Sequence, residues 1–236
     1  MPAHNERDYL EAAVAHVVAG LQARRMDFEV VVCENGSTDR TVELGEALEK
    51  RYPEVRLLTN PQADYGRALR QGFLAAEGDV VVNFDVDYVD LDFLEAALDL
   101  MRGDGGPSVV VASKRGAGSE DTRPLGRRAV TAVFSFVLRT GFGLTVTDTH
   151  GMKALRRADL AGLVDACQCG EDLFDTELIL RAERAGLRVA ELPVTVRDTR
   201  PPRSSIVSRI PRSVTGLIVL RRALRHQARS SRTLAA

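Results

Sequence analysis

The sequence predicts an α/β fold with a doubly wound mixed sheet, on three observations. Segments with apolar residues at helical spacing alternate with short β-branched runs almost from the first residue. Those runs, such as FEVVVCE at 28–34 and GDVVVNF at 78–84, have the continuous valine content of strands covered on both faces. Their order reads βαβαβ, the half-unit of a nucleotide-binding sheet.

Each element follows from its residues. Leu10, Val14, Val17, Val18 and Leu21 form an apolar stripe at helical period, so a helix is expected from Glu6 to Arg25, followed by the 28–34 strand. Ser37 or Thr38 is the expected cap of a helix near Thr41–Arg51, and VRLLT at 55–59 is the next strand. A helix over Tyr65–Glu77 leads to the buried strand 78–84. Asp90 and Asp92 suit the first turn of a helix over Leu91–Met101, where the helix dipole favours negative charge. SVVVAS at 108–113 is a strand, with helices expected over Leu125–Thr140 and Asp172–Ala185 around the short segment GMKALRR, and LRVAELPVTV closes the body as a strand pair. A strand is also required ahead of the first helix, where the sequence supplies only Met1, Pro2 and Ala3. The expectation is a truncated first strand.

The chain has 236 residues, 44% of them hydrophobic, which suffices for one sizeable core. A single α/β domain over 1–198 is expected, with an appendage over 199–236. No apolar run approaches the roughly 20 residues that span a bilayer, and the opening MPAHNERDYL is not a signal peptide, so the body is expected to be cytoplasmic. Cys33, Cys167 and Cys169 are odd in number and lack CxxC spacing, which argues against disulfides and a structural zinc site.

The net charge of −1 conceals a split. From Thr199 to Ala236 there are nine arginines and no Asp or Glu; taking these from the 32 Lys and Arg leaves 23 basic against 33 acidic residues, a net of −10 for the body. A basic tail on an acidic body points toward a polyanion or an anionic membrane surface. Within it, Val214, Leu217, Ile218, Leu220 and Leu224 interleave with arginines, giving either a basic helix lying on a membrane or a helix packed on the body.

The stretch VVVNFDVDYVDLD (80–92) places four aspartates in eight residues directly after a strand. Ligands of open α/β sheets sit beyond the carboxyl ends of the strands, where Asp85 and Asp87 lie. Two carboxylates one residue apart in a turn can face a hard divalent ion completed by waters and substrate phosphates, which suggests a nucleotide diphosphate. A solvated turn is the other reading.

Five ordered phrases, PAHNE (2–6), ENGSTDRT (34–41), NPQADYGRALRQGF (60–73), FDVD (84–87) and FDTELILRAERAGLRVAELPV (174–194), make the chain resemble family-2 glycosyltransferases of GT-A fold over nearly all of residues 2–198. With SKR at 113–115 and DTHGMKALRR at 148–157, it looks most similar to the polyprenol-phosphate mannose and glucose synthases. The resemblance implies an inverting transfer of a hexose from a GDP- or UDP-sugar to a polyprenyl phosphate, with Mg²⁺ or Mn²⁺. It places Glu34 against the base, Pro2, His4 and Glu6 in the base and ribose loop, Gly66 at a close approach to the donor, and Asp85, Val86 and Asp87 at the ribose and metal. Lys114, Arg115, Arg127 and Arg128, with Arg200 and Arg203 of the tail, stand where acceptor-phosphate cations are placed. A phosphate acceptor is already ionised and needs cations rather than a base. A hydroxyl acceptor would instead need a carboxylate base, for which Glu171 and Asp172 are the candidates.

The expected partners are therefore a nucleotide-sugar donor, a polyprenyl phosphate or other acceptor and, through the tail, the inner face of an anionic membrane, with no nucleic acid among them. Transfer to a hydroxyl on a glycan or small metabolite, and nucleotide-sugar binding without turnover, remain as alternatives.

Overall fold

The expected apolar stripe folds into α1 (Leu10–Ala23), with Leu10, Val14, Val17, Val18 and Leu21 all buried. α1 starts later than its pattern suggested because residues 4–9 form a loop, in which Asn5 has φ +53° and the Tyr9 N–H closes a turn on the Glu6 carbonyl. The computed structural model describes residues 1–103, 105–114, 120–121, 125–170, 173–196 and 215–224, with backbone alone at 120, 121, 125, 127 and 196.

Strands β1 (Pro2–Ala3), β2 (Val30–Asn35) and β3 (Val55–Asn60) form a parallel sheet in that order. β1 is two residues long, as the short start of the pattern implied. α2 (Thr41–Arg51) follows β2, and its expected caps differ from those found. Ser37 Oγ accepts instead from the Asn5 N–H, and the Thr38 N–H donates to Asn5 Oδ1. The α2 start is held by Asp39 Oδ1, which accepts from the Thr41 N–H at 2.9 Å. The two hydroxyl residues are thus recruited to the loop after β1.

α3 (Tyr65–Ala75) is capped by Asp64, which accepts from the Arg67 N–H at 2.9 Å. α4 (Leu91–Met101) is capped in the same way by Asp90 on the Phe93 N–H, as its sequence predicted.

The second sheet is assembled from β4 (Val80–Asn83), β5 (Val109–Ser113), β7 (Lys153–Arg156) and β8 (Val189–Pro193), in the order β4-β7-β5-β8. β7, the GMKALRR segment left unassigned by its pattern, runs antiparallel to both neighbours and makes the sheet mixed. β6 (Glu120–Asp121) pairs with β9 (Thr195–Val196). Helices α5 (Leu125–Phe142), α6 (Arg157–Ala166) and α7 (Phe174–Arg184) and a helix at 215–224, α8, complete the body. The valines of β4 were expected to be buried on both faces, yet Val80, Val81 and Val82 are only half-buried. β4 is the end strand of its sheet, and its free edge borders a cavity.

Two apolar clusters cover the two faces. One joins α1 and α4 to the strands through residues such as Val14, Leu94 and Ala154; the other gathers α3, α6, α7 and α8 around Phe73, Phe174 and Leu178. α8 buries Leu220 and Leu224 in this second cluster, and a Cβ at Gly216 would lie 2.1 Å from Leu173 Cδ1, so the helix is pressed against the start of α7. Packing on the body is therefore the reading this part of the tail follows, with Arg221 and Arg222 left exposed. Cys33, Cys167 and Cys169 are free and buried. Among the described residues, no helix is long and apolar enough to cross a membrane.

Candidate active site

The carboxyl ends of β1, β2 and β3 deliver three loops to one place. His4 Nδ1 lies 2.6 Å from the Asn35 carbonyl, and its Nε2 lies 3.2 Å from Asn5 Nδ2. The Glu6 N–H donates to Thr41 Oγ1 at 2.8 Å. Glu34 is buried at the end of β2, where one carboxylate oxygen accepts from the Ser37 N–H. Asn35 Oδ1 accepts from the Asp64 N–H at 2.6 Å, which ties the β2 loop to the cap of α3. Gly36 has φ +60°, and a Cβ there would sit 2.6 Å from the Ala63 nitrogen, so only glycine lets the β2 and β3 loops cross this closely. Pro2, His4, Glu6 and Glu34 thus lie together at the carboxyl-end edge of the first sheet, and Gly66 is buried in the first turn of α3.

The FDVD segment forms a tight turn after β4, closed by the Tyr88 N–H on the Asp85 carbonyl at 3.1 Å. Val86 is buried while Asp87 is exposed, so the turn presents one carboxylate outward and holds the other inward. Tyr65, at the start of α3, donates its hydroxyl to Asp85 Oδ1 at 3.1 Å and brings the two sheets' loops together. Burial pushes the Asp85 carboxyl above the usual range; the Lys153 ammonium opposes that rise, while Asp87 and Asp175 add to it. Among the described residues no set of three His, Cys, Asp or Glu side chains converges to hold a metal. Two carboxylates alone suit an ion such as Mg²⁺ or Mn²⁺, which keeps waters and takes further oxygens from a diphosphate. A cation there would also relieve the penalty of charging the half-buried Asp85.

Lys153 and Asp175 carry weight that sequence reasoning missed. The Lys153 ammonium, on β7, is fully buried; it donates to the Gly151 carbonyl at 2.8 Å and to Asn83 Oδ1 at 3.2 Å. It lies 2.8 Å from Asp175 Oδ1 as an ion pair. Asn83 ends β4 two residues before Asp85, and Lys153 and Asp175 both act electrostatically on Asp85, so this pair lies under the FDVD turn. The signal was available: Lys occurs only at 50, 114 and 153, and Asp175 stands in the quoted FDTEL phrase.

Lys114, just beyond β5, reaches the same place. Its Nζ is 3.5 Å from where a Cβ at Gly151 would be, and Gly151 has φ +101°, so the loop before β7 leaves room for it. Arg128 is exposed at the start of α5, the side chain of Arg127 lies outside the described residues, and Arg115, Asp172, Arg200 and Arg203 lie outside them entirely. The chain leading into 171–172 is nevertheless fixed. Glu177, fully buried in α7, accepts from the Gln168 and Cys169 N–H groups at 2.8 and 2.6 Å while Arg181 donates to its other oxygen. Burial and the Glu177 charge push the Cys169 thiol up to about 12, so it is no nucleophile. A Cβ at Gly170 would lie 2.7 Å from Asp64 Oδ2, which puts this loop beside the α3 cap and Tyr65.

The model of the family described as Glycosyl transferase family 2 matches residues 1–163. The chain belongs to that family. It is 31% identical over 199 residues to the glycosyltransferase AglD of Haloferax volcanii, a match covering 82% of this chain but only 32% of AglD. The chain thus corresponds to about a third of AglD. An uncharacterized glycosyltransferase of Mycobacterium bovis is 32% identical over 93% of this chain and 91% of its own length. A dolichyl-phosphate hexose transferase of Haloferax volcanii is 32% identical over 80% of this chain and 78% of its own. Among solved structures, glucosyl-3-phosphoglycerate synthase of Mycobacterium tuberculosis in complex with UDP superposes with a TM-score of 0.66 at 21% identity, covering 94% of this chain and 77% of that one. The same synthase with Mn²⁺, UDP and glucosyl-3-phosphoglycerate gives a TM-score of 0.65 at 20% identity, covering 93% and 76%. The family 2 chain therefore has the GT-A α/β fold anticipated from its phrases.

Proposed function

We propose that this family 2 protein is an inverting, metal-dependent glycosyltransferase that moves a hexose from a nucleotide sugar of the GDP-mannose or UDP-glucose type to a polyprenyl phosphate. The observation that carries the acceptor is the character of α5. It begins with Arg127 and Arg128, close in sequence to Lys114, and then exposes Val130, Val133 and Phe136, the last two by 64% and 67%. A groove of about 1070 Å³ beside it is lined by Val133, Phe136 and Leu144 among others. Cations followed by an exposed apolar face suit an acceptor that is an ionised phosphate on an apolar tail. The likeness to a dolichyl-phosphate hexose transferase supports the same class.

In this reading Glu34, His4 and Glu6 hold base and ribose, and Gly66 admits the diphosphate. Asp85 and Asp87 hold Mg²⁺ or Mn²⁺, which supplies charge neutralisation at the departing nucleoside diphosphate. An acceptor phosphate oxygen forms the new bond to the anomeric carbon as the bond to the diphosphate breaks, and the nucleoside diphosphate leaves with that electron pair. Lys114, Arg115, Arg127, Arg128, Arg200 and Arg203 hold the two anions together. Because the nucleophile enters ionised, no proton has to be removed.

The test compares two kinds of variant. Lys114→Ala and Arg127→Ala are expected to leave donor affinity near normal and to cut transfer to polyprenyl phosphate by about 10- to 100-fold, the loss of one charge-assisted contact. Asp172→Asn is expected to matter little. The opposite pattern, with Asp172→Asn inactive and both cation variants near normal, would replace this acceptor with a hydroxyl. That second reading draws on glucosyl-3-phosphoglycerate synthase, whose complex holds a phosphorylated small-molecule product. Absence of any donor turnover with Mn²⁺ would leave nucleotide-sugar binding as the activity.

The acceptor's membrane setting gives a further expectation for the tail. Nine arginines without an acid, each worth about 1 kcal/mol near an anionic surface, should hold the full chain on the cytoplasmic face in a salt-sensitive way. In vesicle co-sedimentation the full chain should pellet with anionic lipid, and a full-length chain with its tail arginines changed to Gln, which keeps α8 on the body, should pellet much less. Equal pelleting would remove the tail arginines from the mechanism.

A further inference from the structure

The candidate site is shared between two sheets, and α3 ties them together. The helix is fixed to the first sheet at two points. Asn35 Oδ1, at the end of β2, accepts from the Asp64 N–H at 2.6 Å, and Asn60 Nδ2, at the end of β3, donates to Gln71 Oε1 at 2.5 Å. Asn35 is in turn bound to the loop after β1, since its carbonyl lies 2.6 Å from His4 Nδ1. The Asp64 side chain caps α3 on the Arg67 N–H, which holds the first turn in place.

Tyr65 stands in that first turn and reaches the other sheet. Its ring is half-buried and packs on the second apolar cluster, and its hydroxyl donates to Asp85 Oδ1 at 3.1 Å. An aspartate carboxylate turns about its last bond with little preference, so Asp85 keeps one orientation only if a partner holds it. The Lys153 ammonium bonds to the Gly151 carbonyl and Asn83 Oδ1 and is paired with Asp175. Among the described residues, the Tyr65 hydroxyl is therefore the donor that the Asp85 side chain receives. Packing alone does not call for it, because a phenylalanine ring would fill the same place.

We propose that Tyr65 is a positioning residue for donor binding: its hydroxyl holds one oxygen of Asp85 and leaves the other to the cation or ribose. The loops that carry His4 and Glu34 and the turn that carries Asp85 and Asp87 are thereby set at one spacing before the donor arrives. This inference rests on the nucleotide-sugar reading given above. A nucleoside diphosphate would lie across both halves, so an Asp85 carboxylate free to rotate costs affinity through lost preorganisation. Asp87 remains to hold the cation, and the contact through Asp85 is made before and during transfer alike. Losing the hydroxyl should therefore weaken donor binding far more than it slows transfer from the bound donor.

Tyr65→Phe keeps the ring and removes only the hydroxyl. Isothermal titration of UDP and of GDP in the presence of Mn²⁺ should show the affinity of whichever nucleotide the parent binds reduced about 10-fold, the loss of one hydrogen bond to a charged group. In donor turnover, KM for the nucleotide sugar should rise by a similar factor while kcat at saturating donor falls far less. Asp85→Ala should bind the nucleotide no better than Asp85→Ala combined with Tyr65→Phe, since the hydroxyl then has nothing to hold. Parental nucleotide affinity in Tyr65→Phe would overturn the role of Tyr65 and leave the nucleotide-sugar reading standing. So would equal falls in kcat and affinity, or a further loss when Tyr65→Phe is added to Asp85→Ala, either of which would make Tyr65 a part of the packing alone. A parent that binds neither nucleotide with Mn²⁺ would overturn the nucleotide-sugar reading itself, and this inference with it.

Discussion

Asp87→Asn should lower turnover by about 1,000-fold and abolish Mn²⁺-dependent binding of UDP or GDP, while leaving the melting temperature nearly unchanged. Asp87 is exposed on the turn after β4, so its removal opens no cavity and breaks no packing. Under the proposed function Asp87 would hold the cation that neutralises the departing diphosphate, where loss of one preorganised group typically costs 10²–10³ in rate and a metal ligand at least as much. Asp85→Asn should act in the same direction but more weakly on nucleotide binding, because burial already disfavours the Asp85 carboxylate. The sign of the pH dependence follows. With its pKa raised above the unfolded value, Asp85 binds a proton more readily in the folded state, so in the metal-free protein stability falls as pH rises through that window. Metal and nucleotide should bind better as pH rises through the same range, since only the ionised carboxylate ligates. Isothermal titration of Mn²⁺ and UDP across that range checks both statements. Unchanged turnover in Asp87→Asn would remove the FDVD turn from the chemistry.

Much of this arrangement was legible in the sequence, for identifiable reasons. α1 showed as a stripe because a helix covering a sheet must keep one face apolar, and the Asp64 and Asp90 caps stand just ahead of their apolar runs. The DxD turn was readable because its aspartates follow a valine run directly. What could not be read was long-range pairing. Ser37 and Thr38 have the chemistry of helix caps, but Asn5, 32 and 33 residues away, takes them for the loop after β1. β7 is four residues with a buried Lys at its head, so neither alternation nor apolar content marks it as a strand lying between β4 and β5. The valines of β4 look fully enclosed, and only the three-dimensional order of strands reveals that one edge is open. Glu177 and Arg181 lie one helical turn apart in α7, and nothing local marks them as buried; both are, and Glu177 fixes the 168–169 loop.

Lys153→Met should be the most damaging single change to the fold, costing about 3–5 kcal/mol, because it leaves Asp175 buried without its counter-charge. No hydrogen bond from a described residue reaches Asp175 Oδ1, so the ammonium 2.8 Å away is its compensation. A domain of this size has roughly 5–15 kcal/mol in total, and at about 2–4 °C per kcal/mol the melting temperature should fall by about 6–20 °C. Asp175→Leu alone should be similarly harmful, since it leaves a buried ammonium with only the neutral acceptors of Gly151 and Asn83. Combining the two removes both charges and replaces them with apolar volume, which for buried pairs is often neutral. The double variant should therefore melt well above either single one, a coupling of at least about 2 kcal/mol in a double-mutant cycle. Recovery of stability separates two roles for the pair. If Lys153 only holds the fold, the double variant should bind Mn²⁺ and UDP as the parent does. The bond from Lys153 to Asn83, two residues before Asp85, leads us to expect otherwise: a stable double variant with donor affinity reduced about 10-fold, because the floor under the FDVD turn has lost its donor. Strictly additive single effects, or a Lys153→Met protein as stable as its parent, would show that water reaches this pair and that the charge is not buried in solution.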